Sequence, residues 1–295
     1  MKKLLILAAC GTDATIEHLV SYPIRELGAA VEGYGKTWHQ NTPEGNILSA
    51  INKHDPQVVA YFGINGSIDC PSTVFLRQLR SKCRLVHVCF DAPCHEWWPL
   101  LDQYKTQEVF DLQISITGKD PYCDWATLTP SDPLLFQLSQ VFGSTSQTRD
   151  IDVGFAGSWT GDDTRWKILG PLGDFVVKQR REEPMKPTSY YADFLRRCRA
   201  SINVAEVGGP IKAKHVKGRV VESGLAGCML LEQAGSPTSE WFQAGSDYME
   251  YEGPEDIRRV VSDYGFRAQA AEMGGRLREK MAAHHPRFFW QRVLG

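Results

Sequence analysis

The sequence predicts an α/β protein made of two domains in tandem, and three features of the chain support this fold class. Short apolar runs alternate with amphipathic segments along most of the 295 residues, which is typical of parallel sheets covered by helices. A polar stretch rich in Gly, Ser and Thr interrupts the alternation between Pro130 and Asp150. The length also suits two domains of about 150 residues each.

The first half alternates strand and helix from its start. Continuous apolar runs predict the strands, and apolar residues three or four positions apart predict the helices. The predicted strands are Lys3–Ala9, Ala30–Tyr34, Val58–Phe62, Arg84–Phe90 and Leu112–Thr117, and the predicted helices are Thr15–Leu27, Glu44–Lys53 and Ser72–Ser81.

The alternation restarts after the polar stretch, which we interpret as the linker between the domains. Gly227 is expected to end one of the later helices, because glycine is the usual residue just after a helix. The predicted strands are Ile151–Ala156, Phe175–Lys178, Ala200–Ala205 and Cys228–Leu231, the predicted helices are Asp163–Leu169, Tyr190–Cys198 and Lys217–Ala226, and Ser239–Gln243, Asp247–Tyr251 and Pro254–Asp263 extend the series.

The C-terminal region lacks strand patterns. Ala268–Ala283 is predicted to be a long helix with a charged outer face, and Pro286 ends it. Arg287–Leu294 follows and carries two phenylalanines and a tryptophan. So many large apolar groups do not suit a free tail, and the segment is expected to dock onto a folded domain.

Composition and charge narrow the class of protein. A formal net charge of -2 offers no general attraction to nucleic-acid backbones, so binding to them would need a local basic patch. Eight cysteines are scattered without paired CxxC spacing, which favours a reduced cytoplasmic protein. No apolar run approaches the roughly 20 residues that span a bilayer, and Leu4–Cys10, which follows two lysines, is interpreted as a first strand and not as a signal sequence.

A small-residue turn follows the strand that begins the second half. Gly157 and Ser158 lie at the end of GFAGSW, before a predicted helix start. Exposed backbone N–H groups at such a turn bind phosphate, although small residues after a strand are common in any α/β domain. Neither the GxGxxG nor the GxxxxGK[ST] spacing is present, so the sequence indicates neither a dinucleotide fingerprint nor a P-loop.

The segment KGRVVESGLAGCMLLEQ contains a second candidate site. Arg219 and Glu222 are three residues apart and would project from one face near a helix start, with Lys217 beside them. A guanidinium suits a diphosphate and a carboxylate suits the vicinal hydroxyls of a ribose. On spacing alone a surface ion pair, worth less than about 1 kcal/mol, explains the same pattern.

Candidate catalytic residues lie in the first half. Asp91 and His95 follow the predicted strand Arg84–Phe90, at the edge where parallel sheets place ligands, and either suits a general base. Trp97 and Trp98 would form an apolar platform for an acceptor, or else pack in the core. Asp13, after the first strand, is a helix cap or another candidate base. Nearby cysteines and histidines match no familiar zinc spacing, and no metal site is predicted.

The second half resembles the C-terminal domain of GT-B glycosyltransferases, and in particular the CgeB-like branch of the glycosyl transferase group 1 proteins. The resemblance covers most of residues 151–265. Its motifs are DVGFAGSW, the run from Tyr191 to Ala205, GRVVESGLAGCMLLEQ, and SEWFQAGSDYMEYEGPEDIRRVV. In the first half only the βα alternation and Asp91-Ala92-Pro93 are similar.

This resemblance implies two Rossmann-like domains facing a cleft, with an acceptor domain at 1–140, a nucleotide-sugar domain at 151–265 and C-terminal helices at 266–295 that cross back to the first domain. It implies a metal-independent glycosyltransferase, with a nucleotide-sugar and not a bound cofactor as co-substrate, and a UDP-sugar as the expected donor. Glu222 matches the carboxylate that grips the donor ribose, and Arg219 and Lys217 match the diphosphate-binding positions.

The donor-binding set is completed by Gly157, Ser158, Lys178 and Lys214. Lys214 stands where retaining members carry a glutamate eight positions before Glu222, so the stereochemical outcome stays open. Asp91 is the first choice for the base, followed by Asp13 and His95. The acceptor, whether a glycan, a small molecule or modified DNA, is not determined.

Three other functions remain open at this point. A DNA-modifying glycosyltransferase acting on hydroxymethylated bases would use a similar Arg-x-x-Glu pair, although the near-neutral charge does not favour it. A sugar- or nucleotide-binding module without transferase activity, or a sugar-phosphate epimerase, would use a similar architecture.

Overall fold

The computed structural model describes residues 2–8, 14–33, 44–62, 71–90, 98–137, 148–157, 164–179, 188–206 and 213–295. These residues form two compact units, Met1–Asp132 with Pro286–Gly295, and Pro133–His285. None of the helices in these ranges is both long enough and apolar enough to cross a lipid bilayer.

The first unit contains a parallel six-stranded sheet in the order β2-β1-β3-β4-β5-β6. Its central strands are buried on both faces, which explains their unbroken apolar sequences. The strands are β1 Leu4–Ala8, β2 Ala30–Gly33, β3 Val58–Tyr61, β4 Arg84–Cys89, β5 Leu112–Ser115 and β6 Trp125–Ala126, and the helices are α1 Ala14–Leu27, α2 Glu44–His54, α3 Thr73–Leu79 and α4 Trp98–Thr106.

The second unit contains a parallel five-stranded sheet in the order β11-β10-β9-β7-β8. The predicted alternation is therefore confirmed in both halves. The strands are β7 Ile151–Ala156, β8 Val177–Gln179, β9 Cys198–Asn203, β10 Met229–Gln233 and β11 Met249–Tyr251, and the helices are α5 Pro133–Gln137, α6 Thr164–Leu172, α7 Thr188–Arg197, α8 Gly218–Ala226, α9 Pro254–Ser262 and α10 Phe266–Lys280.

The last helix, α11 Pro286–Leu294, belongs to the first unit. Phe289 and Trp290 are buried in the same apolar cluster as Leu4 and Ile6 of β1, whereas Leu5 faces the opposite layer. Burial of these aromatic rings confirms that the C-terminal segment docks onto a folded domain.

The unit boundaries differ from the predicted domain limits in two places. Helix α5 falls within the stretch predicted to be a linker, because Phe136 is buried in a core cluster of the second unit. Helix α10 belongs to the second unit and not with α11, because Phe266, Ala270 and Met273 are buried in that unit's core.

Arg149 holds the ends of two helices in the second unit. Its guanidinium donates to the carbonyls of Arg196 and Cys198 near the end of α7, and to those of Ala226 and Gly227 at the end of α8. The last carbonyls of a helix have no partner within it and carry the negative end of the helix dipole, so a cation is favourable there.

A buried carboxylate ties α1 to the segment that follows β6 in the first unit. Asp132 is 0% exposed, and it accepts hydrogen bonds from Arg25 at 2.6 and 3.3 Å and from Ser21 at 2.9 Å. Arg25 also contacts the exposed carboxylate of Glu26 at 2.7 Å. The two acidic partners of one guanidinium thus differ strongly in burial.

We expect Arg25→Ala to lower the free energy of unfolding by about 2–4 kcal/mol, because it leaves a buried carboxylate without its cation. Glu26→Ala removes only the exposed partner and should change it by less than about 0.5 kcal/mol. Urea titrations of both variants at neutral pH measure the difference. Equal losses of unfolding free energy in the two variants would contradict the conclusion that the buried Asp132 is the important partner of Arg25.

Candidate functional site

The candidate site lies at the carboxyl edge of the second sheet, where β7, β9 and β10 end side by side. Helix α8 begins after β9, and its N-cap residue Lys217 does not cap it with its side chain. The first N–H groups of a helix have no partner within it and carry partial positive charge. This edge therefore suits an anionic ligand.

Arg219, in the first turn of α8, contacts the end of β7. Its Nη2 donates to the carbonyl of Ala156, and the guanidinium carbon lies 4.8 Å from the ring centroid of Phe155. Its Nε is a buried donor that has no hydrogen-bond partner in the described ranges. The cation is thus held in place by packing at the carboxyl edge of the sheet.

Gly157 gives Arg219 this position. Its φ of +148° is strained for residues with a side chain, and a Cβ there would lie 3.0 Å from Nη2 of Arg219. A side chain at position 157 would therefore press on the guanidinium of Arg219.

Glu222 lies one turn further along α8 and is 4% exposed. It accepts a hydrogen bond from the hydroxyl of Tyr191 on α7. Burial, followed by the nearby charge of Glu222, raises the pKa of Tyr191 well above its usual value, so the phenol stays a donor at neutral pH. Because Arg219 donates to a carbonyl and Glu222 is buried against Tyr191, the alternative of a surface ion pair is wrong.

Two lysines flank the start of α8. The ammonium of Lys217 contacts Nε2 of His215, and that of Lys214 donates to the carbonyl of Ala234 just after β10. Lys214 also forms an isolated antiparallel bridge with Glu206. Both lysines therefore lie at the same edge of the sheet as Arg219.

A surface pocket of about 460 Å³ opens beside Lys214. The turn after β10 forms its other walls, which consist of Gly235, Ser236, Pro237, Ser239 and Glu240. A hydroxyl-rich wall with one cation and one carboxylate suits a polar, hydroxylated ligand.

Sequence reasoning missed Glu232, which is 0% exposed at the end of β10. Its two carboxyl oxygens lie 3.1 and 2.8 Å from Nδ2 of Asn203 on β9. Burial raises its pKa to about 7, against the opposing effect of hydrogen bonds from Ser236, Asn203 and Thr238. The signal was a glutamate that ends an apolar strand, since a charged residue there is costly unless it has a role.

Other predicted site residues are placed elsewhere or lie outside the described ranges. Lys178 donates to the carbonyl of Gly173, at 2.6 Å, in the turn before β8, and none of its described contacts joins it to Arg219. Trp98 begins α4 and donates to Asp120 at 2.7 Å, with its ring 6.0 Å from that of Tyr122. Outside the described ranges are Asp13, Asp91, His95, Trp97 and Ser158.

Solved structures with this fold include several sugar-transferring enzymes. HepE of Anabaena, solved with UDP-glucose, is similar with a TM-score of 0.64 and 10% identity over 100% of this chain and 98% of that chain. The sucrose-phosphate synthase of Thermosynechococcus elongatus has a TM-score of 0.58 and 12% identity over 99% and 96%. An alpha-glucosyltransferase solved with UDP and a 13-mer DNA containing an HMU base has a TM-score of 0.63 and 11% identity over 100% of both chains.

At these identities the similarity concerns the fold, and the fold is that of the GT-B glycosyltransferases. Residues 139–288, just over half of the chain, match the profile of the family described as Glycosyl transferase-like, and the protein belongs to this family. None of the curated proteins matches the sequence significantly.

Proposed function

We propose that the protein transfers a sugar from a UDP-sugar to an acceptor hydroxyl, and that the second unit holds the donor. The observation that carries this proposal is the placement of Arg219 and Glu222 one turn apart at the start of α8, beside Gly157. The diphosphate would bind Arg219, Lys217 and the N–H groups of the first turn. The ribose hydroxyls would donate hydrogen bonds to the carboxylate of Glu222. They would either replace the hydroxyl of Tyr191 there or bind beside it.

The similar structures support the choice of UDP. HepE was solved with UDP-glucose and the alpha-glucosyltransferase with UDP, and both share this fold. We also propose that the reaction needs no metal ion, since a guanidinium, an ammonium and a helix N-terminus already offer positive charge to the departing diphosphate. Asp91 remains the first candidate for the base, followed by Asp13 and His95.

A DNA acceptor is the second candidate. It is favoured by the similarity to the alpha-glucosyltransferase solved with DNA containing an HMU base. The formal net charge of -2 supplies no general attraction to the phosphate backbone. A glycan or small-molecule acceptor is therefore preferred.

A panel of nucleotide diphosphate sugars, tested with and without a chelator, would test the proposal. We expect slow release of free UDP from a UDP-sugar, little change with the chelator, and faster release when the correct acceptor is added. Adding duplexes with and without hydroxymethylated bases tests the DNA alternative. Binding without turnover of any donor would favour a non-catalytic module, and a loss of release with the chelator would contradict metal independence.

A further inference from the structure

Glu232 is a buried acidic group at the candidate site that the proposed function leaves unused. It pairs in register with Asn203 across the neighbouring parallel strands β10 and β9, near the carboxyl end of both. Both of its oxygens face the amide nitrogen of Asn203. Ser236, whose hydroxyl lowers the pKa of this carboxyl, lines the adjacent pocket. The carboxyl therefore lies behind the pocket wall, at the same edge as Arg219.

The charged and titratable groups around Glu232 come from three directions. From α8, Arg219 favours the ionised carboxylate, and from the β11 side Tyr248 and Tyr251 have pKa values raised mainly by burial and also by its negative charge. In the turn after β10, the hydrogen-bonding neighbours Ser236 and Thr238 are uncharged. Within the described ranges no cation forms an ion pair with Glu232. Its ionised form is therefore stabilised only by the nearby charge of Arg219 and by neutral hydrogen-bond donors.

A bound diphosphate would remove part of that support. Its negative charges would occupy Arg219, which lowers the benefit of this cation to Glu232, and would repel the buried carboxylate in a medium of low dielectric constant. A neutral carboxyl avoids this repulsion and keeps the polar cluster bonded. It also supplies a new donor, and Oδ1 of Asn203 is a buried acceptor with no partner in the described structure, which a flip of the amide would turn toward it.

We propose that Glu232 takes up a proton from solvent when the donor diphosphate binds, and so acts as a positioning residue that couples donor binding to pH. This inference rests on the proposed function, because it requires the diphosphate at Arg219. The donor should bind more tightly as the pH falls from about 8 to 7, by up to about tenfold per pH unit, and the dependence should fade below about pH 6. Glu232 of the free protein, whose pKa is about 7, is already protonated at that pH and takes up no further proton.

Calorimetry with UDP-glucose tests the proposal on the full chain. The diphosphate of UDP-glucose is a diester that does not titrate near neutral pH, so any proton taken up from solvent on binding must go to a group of the protein. Titrations at pH 7 in buffers of different ionisation enthalpy measure the number of protons bound. We expect about half a proton for the wild type, and almost none for Glu232→Gln, whose amide imitates the neutral carboxyl.

Two control variants separate Glu232 from its neighbours. Glu250→Gln neutralises an exposed carboxylate on β11 and should keep the uptake. His215→Gln removes the imidazole beside Lys217, a side chain type that ordinarily titrates near neutral pH, and should also keep it. A further variant, Ser236→Ala, removes a hydroxyl that favours the ionised form and should move the largest uptake to a higher pH.

The outcomes are distinct. Equal uptake in the wild type and in Glu232→Gln, or loss of uptake in His215→Gln alone, overturns the inference while the proposed function stands. Binding of UDP-glucose to the wild type without proton uptake also overturns the inference and leaves the proposed function standing. If Glu232→Gln does not fold, an unchanged pH profile in Ser236→Ala contradicts the inference. Failure of the folded wild type to bind UDP-glucose at any pH overturns the proposed function and this inference with it.

Discussion

Arg219→Ala is expected to weaken the binding of UDP-glucose about 30- to 100-fold. The guanidinium is anchored to the carbonyl of Ala156 and over the ring of Phe155. It therefore loses less conformational entropy on binding than a mobile surface arginine would. Loss of charged hydrogen bonds to a diphosphate corresponds to about 2–3 kcal/mol. Calorimetry at constant pH and salt measures the change in the dissociation constant.

Arg199→Ala is the matched control for this prediction. Arg199 belongs to β9 of the same sheet and is near the start of that strand, where it pairs with Asp152 at 3.2 Å. The substitution removes the same charge from the opposite edge of the sheet. We expect UDP-glucose affinity to stay within about twofold, because this charge is at the other edge of the sheet and is already paired with Asp152.

Arg219→Lys and Glu222→Gln refine the assignment of roles. Lysine keeps the charge but not the planar pair of donors, so it should recover only part of the affinity. Glutamine at position 222 keeps the shape but accepts the ribose hydroxyls and the Tyr191 hydroxyl less strongly, and should weaken nucleoside binding as well as UDP-glucose binding. Unaltered affinity in both Arg219→Ala and Glu222→Gln would disprove the donor site.

Gly274→Ala is expected to lower the free energy of unfolding by about 2–3 kcal/mol. A Cβ at this position of α10 would lie 2.4 Å from the carbonyl oxygen of Gly227 and 3.0 Å from the backbone carbon of Cys228. These are backbone atoms that cannot rotate away, so either α10 or the end of α8 must shift. The gain in helix propensity, about 1 kcal/mol, offsets only part of the cost.

Gly275→Ala provides the control one residue away on the same helix. Beyond its own stretch of helix, no atom of the described residues lies within 4 Å of its added Cβ, so the variant should gain up to about 1 kcal/mol from propensity alone. Urea titrations of both variants should show changes in the free energy of unfolding that have opposite signs. Gly274→Ala with wild-type stability would contradict the close packing of α10 against the end of α8.

The packing of α10 also bears on the site. Leu277 and Met281 approach Gly224 in the middle of α8, at 3.1 and 2.8 Å from the position of an added Cβ. Gly227 ends α8 with a φ of +65° and N–H bonds to the carbonyls of Ser223 and Gly224. The helix that carries Arg219 is thus fixed from behind, and a shift of α8 in Gly274→Ala should also weaken UDP-glucose binding.

Local patterns were sufficient for most of the secondary structure, although they did not predict α4, β6 or α5. Buried parallel strands read as unbroken apolar runs, and Gly227 marks the end of α8, because these features depend on neighbouring residues alone. The alternation likewise predicted two parallel sheets. The aromatic C-terminal segment predicted docking, since Phe289 and Trp290 are buried, and the order of four motifs in the second half identified the family that residues 139–288 match.

Spacing and motif order also selected Arg219, Glu222, Lys217 and Lys214 as one group, and the structure places them at one edge of one sheet. The structure places Lys178, by contrast, beside the carbonyl of Gly173. The direction of a long flexible side chain at an edge strand depends on nearby carbonyls that the sequence pattern does not reveal.

The sequence by itself determined most of the order of strands and helices, the family, and which short segment carries the candidate donor residues. Only the tertiary structure showed that Tyr191 bonds to Glu222, that Arg149 holds the ends of two helices, and that Glu232 is buried beside Asn203. These partners are between 29 and 78 residues apart in the chain. Strand register and helix packing bring them together, and the desolvation that raises the pKa of Glu232 exists only once the sheet has formed around it.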